Sequence, residues 1–360
     1  MNDDCLKLTD FGERQRTDGR FLADAILDLY GQHNIAASIM LRGSGGFGLR
    51  HHLRTDEQLS LSEDPPVAVI AVDTAHAITG LLDQVTAIQK RGLLTLERAR
   101  LLRGDIGPVA LSDELREATK LTIYVGRKER AYGQPAYIAL CDLMYRRELA
   151  GASVFLGVDG THHGYRARAR ARFFSRNTNV PTMIITVGSG EKIGKILPEL
   201  GALLRDPLIT IERVRICKRD GQLVHRPHAL PGTDENGLGL WQKLMIYTSE
   251  SATHNGQPIH REIIRGLRQQ KSSRGATALN GIWGFHGDHA PHGDHLFQLA
   301  RRVPVVTIVI DTPDNIAASF DIIDEATAEE GLVTSEMVPA QLALNDNNRH
   351  GGTRLANHRY

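Results

Sequence analysis

Four histidines at steps of three, His286, His289, His292 and His295, stand in the stretch HGDHAPHGDH with Asp288 and Asp294 between them. Neutral imidazoles interleaved with carboxylates are ligands for a divalent transition metal such as zinc, nickel or copper. No cysteine joins them and no helical pattern fixes their geometry, so a plain polar loop is the competing reading. A second array, Arg166, Arg168, Arg170 and Arg172, alternates with alanine. In an extended chain all four guanidinium groups project from one side, and their forked donors suit phosphate; a solvated basic loop explains them equally well. Glycines form a third group: Gly43, Gly45, Gly46 and Gly48, then Gly157, Gly160 and Gly164, then Gly281, Gly284 and Gly287. Glycine lets backbone amides approach an anion closely, so these positions are candidate ligand contacts, with Arg50, Arg54, Lys90, Arg91 and Arg205 as the cations nearby in sequence. Gly43, Gly45 and Gly48 spell GxGxxG, but the motif leads into a loop and a strand rather than a helix, which argues against a dinucleotide fold.

These groups occupy corresponding places in a segment of about a hundred residues written three times. Lys7-Leu8-Thr9 recurs as Lys120-Leu121-Thr122 and Lys243-Leu244-Met245. Each start is followed by an expected Gly-rich turn (LRGSGGFG from Leu41, LGVDGTHHG from Leu156, NGIWGFHG from Asn280) and by an apolar run led by Pro66, Pro181 or Pro304. The chain therefore divides into copy 1 (1–104), a linker (105–118), copy 2 (119–219), a linker (220–240), copy 3 (241–338) and a tail (339–360) expected to be disordered. The second linker, rich in Gly, Pro and charge, is expected to be flexible.

Within copy 2, residues 121–125 suit a strand, and Pro135 suits a helix start. Tyr137, Leu140, Cys141 and Met144 then make one helical face. Strands are expected at 152–156, ending at the glycines, and at 182–187; a second helix follows with the stripe Ile193, Ile196, Leu197, Leu200, and a last strand at 209–211. The order is βαββαβ, an α+β class in which two helices cover one face of an antiparallel sheet. The uncovered face must be buried elsewhere, and three tethered copies invite a closed pseudo-threefold ring with the sheets turned inward.

Composition narrows the function classes. The net charge of +1 conceals −2 on residues 1–104, −3 on 105–118, +10 on copy 2 and −4 on the remainder. Such a field favours anionic partners without choosing among nucleotide, nucleic acid and acidic protein. Cys5, Cys141 and Cys217 are too scattered for a disulfide framework or zinc ribbon, which fits a reducing compartment. With an acidic N-terminus and no apolar stretch near 20 residues, the expected location is cytoplasmic. No Ser/His/Asp or paired-carboxylate arrangement recurs, so no enzymatic activity is expected.

The start KLTIYVG, the helix entry GQP, the segment RGSGGFG, LSEDPPV from Leu61 and the ending GLLTLE from Gly92 together resemble the PII-like proteins known as the domain-of-unknown-function 190 family, over roughly residues 5–102, 119–217 and 241–338. The resemblance implies three tandem ferredoxin-like PII-like domains forming an intramolecular pseudo-trimer, monomeric as a chain. It implies an adenine nucleotide as effector in clefts between copies, a mobile loop after strand two, and a regulated partner such as a membrane transporter, fluoride channels among them. The turn before the last strand, which helps hold phosphate in PII proteins, carries Lys90-Arg91 in copy 1, Arg205-Asp206 in copy 2 and Glu329-Glu330 in copy 3. The clefts are therefore expected to be unequal, with at least one degenerate. Two other functions stay open: metal binding by the His-rich loop at 286–295, and nucleic-acid binding by basic copy 2. The second ranks lower because only Phe173, Phe174 and Tyr165 offer stacking surfaces near the arginines.

Overall fold

The computed structural model describes residues 5–12, 16–17, 19–48, 53–55, 66–109, 111, 118–163, 179–286, 291–293, 303–346 and 348–358. Copy 1 contains β1 (Cys5–Gly12), α1 (Leu22–Gln32), β2 (Ala37–Phe47), β3 (Val67–Thr74), α2 (Ala75–Ile88) and β4 (Arg91–Arg103). Copy 2 contains β5 (Thr119–Gly126), α3 (Ala136–Arg146), β6 (Gly151–Leu156), β7 (Asp159–His162), β8 (Pro181–Gly188), α4 (Gly190–Leu203), β9 (Leu208–Arg213) and β10 (Arg215–Arg219). Copy 3 contains β11 (Trp241–Ser249), α5 (Ile259–Gln270), β12 (Ala276–Asn280), β13 (Trp283–His286), β14 (Pro304–Asp311), α6 (Pro313–Ala326) and β15 (Leu332–Val338), and the tail adds β16 (Ala340–Asn345) and β17 (Asn348–Gly351).

Each copy folds from the same local instructions. In copy 1 the antiparallel order is β2, β3, β1, β4. Alternation along β1 sends Leu6 and Leu8 toward the helices, where they meet Ile26, Tyr30, Ile78 and Leu81. The second helices begin where a side chain or proline stops the preceding strand: Thr74 Oγ1 accepts the Ala77 amide, Ser189 Oγ accepts that of Lys192, and Pro313 opens α6.

The face away from the helices is buried as well. One apolar cluster draws Ile39 and Ile70 from copy 1, Phe155 and Ile185 from copy 2, and Met245 and Ile308 from copy 3. Two cycles of strand pairing enclose it. In the first, each second strand runs past its own sheet onto a neighbour: the end of β2 pairs with β12, β13 pairs with β6, and β7 pairs with the start of β2. In the second, each fourth strand does the same: the end of β4 pairs with β9, β10 with β15, and β16 with β4. Copies 1, 2 and 3 are thus joined in a closed cycle twice over.

Three expectations are corrected here. The Gly-rich segments do not turn the chain back on itself: strand runs through Gly43 to Phe47 in copy 1, and in copies 2 and 3 it breaks for two residues after Leu156 and Asn280 and resumes at Asp159 and Trp283. Gly43, Gly157 and Gly281 donate their amides to the carbonyls of Pro66, Pro181 and Pro304 at 2.7, 2.9 and 2.7 Å. A side chain at Gly46, Gly160 or Gly284 would strike a backbone carbonyl of the adjoining copy, that of Ala276, Ser38 or Ala152. Glycine is needed there because two backbones meet. The tail is not disordered: β16 lies on β4 over six residue pairs, burying Ala340, Leu342 and Leu344 in copy 1's helix-side core, because its period-2 apolar pattern finds an open strand edge. Nor is the linker at 220–240 a loose tether. Asp234 accepts the amides of Asn236, Leu238 and Asn357 at 2.9, 2.8 and 2.8 Å, fastening linker to tail, and the Asn357 amide foremost holds its carboxyl below the ordinary aspartate value.

Candidate functional site at the seams

Charge is buried where the three sheets meet. Lys7, Lys120 and Lys243 stand directly across from Glu97, Glu212 and Glu336 of their own copies, on the inward face that strand alternation gives them. Each ammonium group bridges its own glutamate and another copy's. Lys7 reaches Glu97 at 3.1 Å and Glu212 at 2.9 Å; Lys120 reaches Glu212 at 2.7 Å and Glu336 at 2.5 Å; Lys243 reaches Glu336 at 2.8 Å and also pairs with Glu97. The six side chains close into a ring of alternating sign, and each residue is at most 7 % exposed. Burial opposes ionisation of Glu97, but Lys243 and Lys7 outweigh it and bring the carboxyl down to about 2. Lys120 and Lys7 outweigh burial at Glu212 in the same way and hold it well below the usual carboxylate range. Among the described residues, these glutamates are the one carboxylate group gathered tightly enough for a metal ion, and the ammonium groups supply the positive charge instead.

Around this ring lie the seams. Between copies 2 and 3, β6 faces β13 with Gly151 opposite His286 and Ser153 opposite Gly284. Asp220, at the end of copy 2's last extension, donates its amide to Gly331 of copy 3 at 2.8 Å. Between them opens a cleft of about 810 Å³ bordered by Asp220, Glu329, Glu330, His286, Ser153 and Tyr247, a volume in the range of small-molecule sites. His286 Nε2 lies 2.6 Å from Asp220 Oδ1. Neither lysine nor arginine lines it among the described residues.

The corresponding place between copies 1 and 2 has another character. Thr161 and Ser38 hydroxyls meet at 2.8 Å across the seam. His162, at the position of His286, stacks obliquely on His163 with centroids 3.9 Å apart, and His163 Nδ1 lies 2.9 Å from Asp206. Burial, then His162 beside it, pushes the His163 imidazole below its ordinary value; Arg103 acts in the same direction. Arg103 is itself paired with Asp73 at 2.9 Å and remains half-exposed. Between copies 3 and 1, Arg91 makes a two-point contact with Asp346 at 2.6 and 2.7 Å, and Lys90 accepts the Asp346 amide through its carbonyl.

The sequence-predicted residues fall unevenly on this frame. Gly43, Gly45, Gly46, Gly157, Gly160, Gly281 and Gly284 are at strand crossings, Gly48 is exposed just beyond one, and Arg205 is exposed at the copy 2 turn. Arg54 pairs through its backbone with Gly46, and His292 with Gly284. Arg50, Gly164, Arg166, Arg168, Arg170, Gly287, His289 and His295 lie outside the described residues, so of the histidine array His286 alone has a described side chain. Asp220, Ser153 and the axial lysines and glutamates were not singled out from sequence. A charge held at one register position in all three copies, inside otherwise apolar strands, was the available signal for the ring.

The family model described as Uncharacterized ACR, domain of unknown function 190, matches residues 10–101, 118–216 and 241–340. The chain belongs to this family. Relatives of the chain include a UPF0166 protein of Methanocaldococcus jannaschii, 28% identical over 90 residues, which are 25% of this chain and 82% of that protein. Another, a UPF0166 protein of Aquifex aeolicus, is 30% identical over 95 residues, 26% of this chain and 88% of that protein. One copy thus accounts for most of a whole relative, while this member of the family carries three. No solved structure matches the chain. No described helix is long and apolar enough to cross a membrane.

Proposed function

We propose that the chain is a PII-like regulatory protein in which three ferredoxin-like copies stand in for three subunits of a trimer, and that small ligands at the seams bias the loops following each second strand. The observation that supports this most is the cyclic exchange of second strands. It sets the end of one copy's second strand, the sheet of the next and the turn before a last strand on the rim of one cleft. A bound molecule there touches two copies and the strand end from which a loop departs, and a ligand favouring one loop arrangement shifts the population toward it. The output is recognition by another protein, a membrane transporter such as a fluoride channel being the kind the family resemblance implies, and the setting is cytoplasmic. Catalysis is not part of this reading.

An adenine nucleotide is assigned to the seam between copies 1 and 2, where Arg103 and the paired histidines approach the turn bearing Arg205, and where basic copy 2 supplies the field. Isothermal titration with ATP, ADP, AMP and cyclic AMP should find at least one ligand that binds fewer than three times per chain. Arg205→Ala should weaken it about tenfold, the equivalent of roughly 1.4 kcal/mol. No heat with any of the four would remove the nucleotide assignment.

A further inference from the structure

We infer that the seam between copies 2 and 3 binds a small organic polycation, a polyamine in chemical class, rather than an anion. This rests on the reading that seams are ligand sites and adds what this particular seam accepts. Asp220 from copy 2 and Glu329 and Glu330 from copy 3 line the cleft, with His286 as the one basic group among its described lining. At the same turn copy 1 has Lys90-Arg91 and copy 2 the charge-balanced Arg205-Asp206, so of the three turns this one alone carries net negative charge. Three carboxylates with no lysine or arginine beside them among the described residues repel a polyphosphate and attract ammonium groups.

The cleft's build selects an organic cation over a metal ion. The cleft measures about 810 Å³, and among the described residues the one set of three ligand side chains gathered within 4.8 Å is the axial glutamates, elsewhere in the fold. Ser153 gives an independent pointer. Ala152 and Val154 turn toward copy 2's helices, so alternation aims Ser153 the other way, into the cleft it lines. The residue is 7 % exposed, and no described residue is hydrogen-bonded to its hydroxyl, which opens on the cleft and is free to accept from a ligand there. Tyr247, on the inward face of β11, adds aromatic surface against which the methylene segments between ammonium groups can pack.

Titration of the full chain with spermidine in about 150 mM NaCl, where loose surface attraction is screened, should give one site per chain that equimolar Mg²⁺ does not displace. The double variant Glu329→Lys, Glu330→Arg copies the turn of copy 1 and should weaken spermidine at least about tenfold; Asp220→Asn, from the other wall, should weaken it in the same direction. Circular dichroism on each variant keeps misfolding distinct from lost binding. Absence of spermidine binding, binding that survives the double variant in its folded form, or equal displacement by Mg²⁺ overturns the inference. Titrating ATP into the same samples separates it from the broader reading: ATP bound without spermidine defeats this site alone, and neither bound defeats both.

Discussion

Lys120→Met should destabilise the chain by about 3–5 kcal/mol, because it leaves Glu212 and Glu336 facing each other inside the protein with one of their cations gone. Methionine nearly matches the lysine stem in shape, so packing is preserved and the loss reports charge. Urea unfolding at pH 7 measures it. Adding Glu212→Gln, which leaves two lysines against two glutamates, should restore much of the loss, since the cost arises from an uncompensated carboxylate rather than from any large net gain of the intact ring. Acid offers a second view of the same groups. Glu97 and Glu212 have lowered values in the folded chain, so their contribution is fully present above the unfolded carboxylate value near 4.5 and is lost as pH falls toward about 2. Lys120→Met should flatten that acid limb. A loss below about 1 kcal/mol would mean that the axis is hydrated and the ring is no more than a set of surface pairs.

The second large effect concerns the tail. Deleting residues 339–360 removes β16 from β4 and takes Leu342 and Leu344, 5 % and 1 % exposed, out of copy 1's core. At roughly 1.5–3 kcal/mol for each large buried side chain, the two leucines alone account for about 3–6 kcal/mol. It also removes the Asp346 contact with Arg91 and the Ala356 carbonyl that accepts from Arg98 at 3.0 Å. The bared edge of β4 then offers unpaired backbone to other molecules. The truncated chain should unfold at lower urea and show concentration-dependent association by size-exclusion chromatography. Stability and mass unchanged from the full chain would show that the tail closes nothing.

Both effects bear on what the residues disclosed beforehand. Helix faces such as Tyr137, Leu140, Cys141 and Met144 follow from spacing alone, because a helix stripe needs a partner within its own copy. The strand crossings do not. A glycine reserved for an anion and one reserved for a passing backbone look identical in sequence, and only the carbonyls of Ser38, Ala152 and Ala276 decide between them. The tail's alternation at Ala340, Leu342 and Leu344 was equally plain, but its partner lies some 250 residues upstream, at the other end of the repeat, where no local pattern points. The axial ring was hidden for a related reason. Lys7 or Glu97 alone reads as a solvated strand charge, and only three copies brought face to face make the six into one structure. The unequal turns were legible, since sign reversal at Glu329-Glu330 is a property of residue type; that Asp220 would join them from copy 2 required the extension of β10 across the seam.

The central claim is that one chain closes its own cycle of seams, so that pockets of unlike charge can coexist in a fixed order. Native mass spectrometry across a hundredfold dilution tests it most directly. A single species at 39.7 kDa that persists at every concentration is the predicted result. Multiples of that mass that dissociate on dilution would contradict it, because the seams would then be completed between chains.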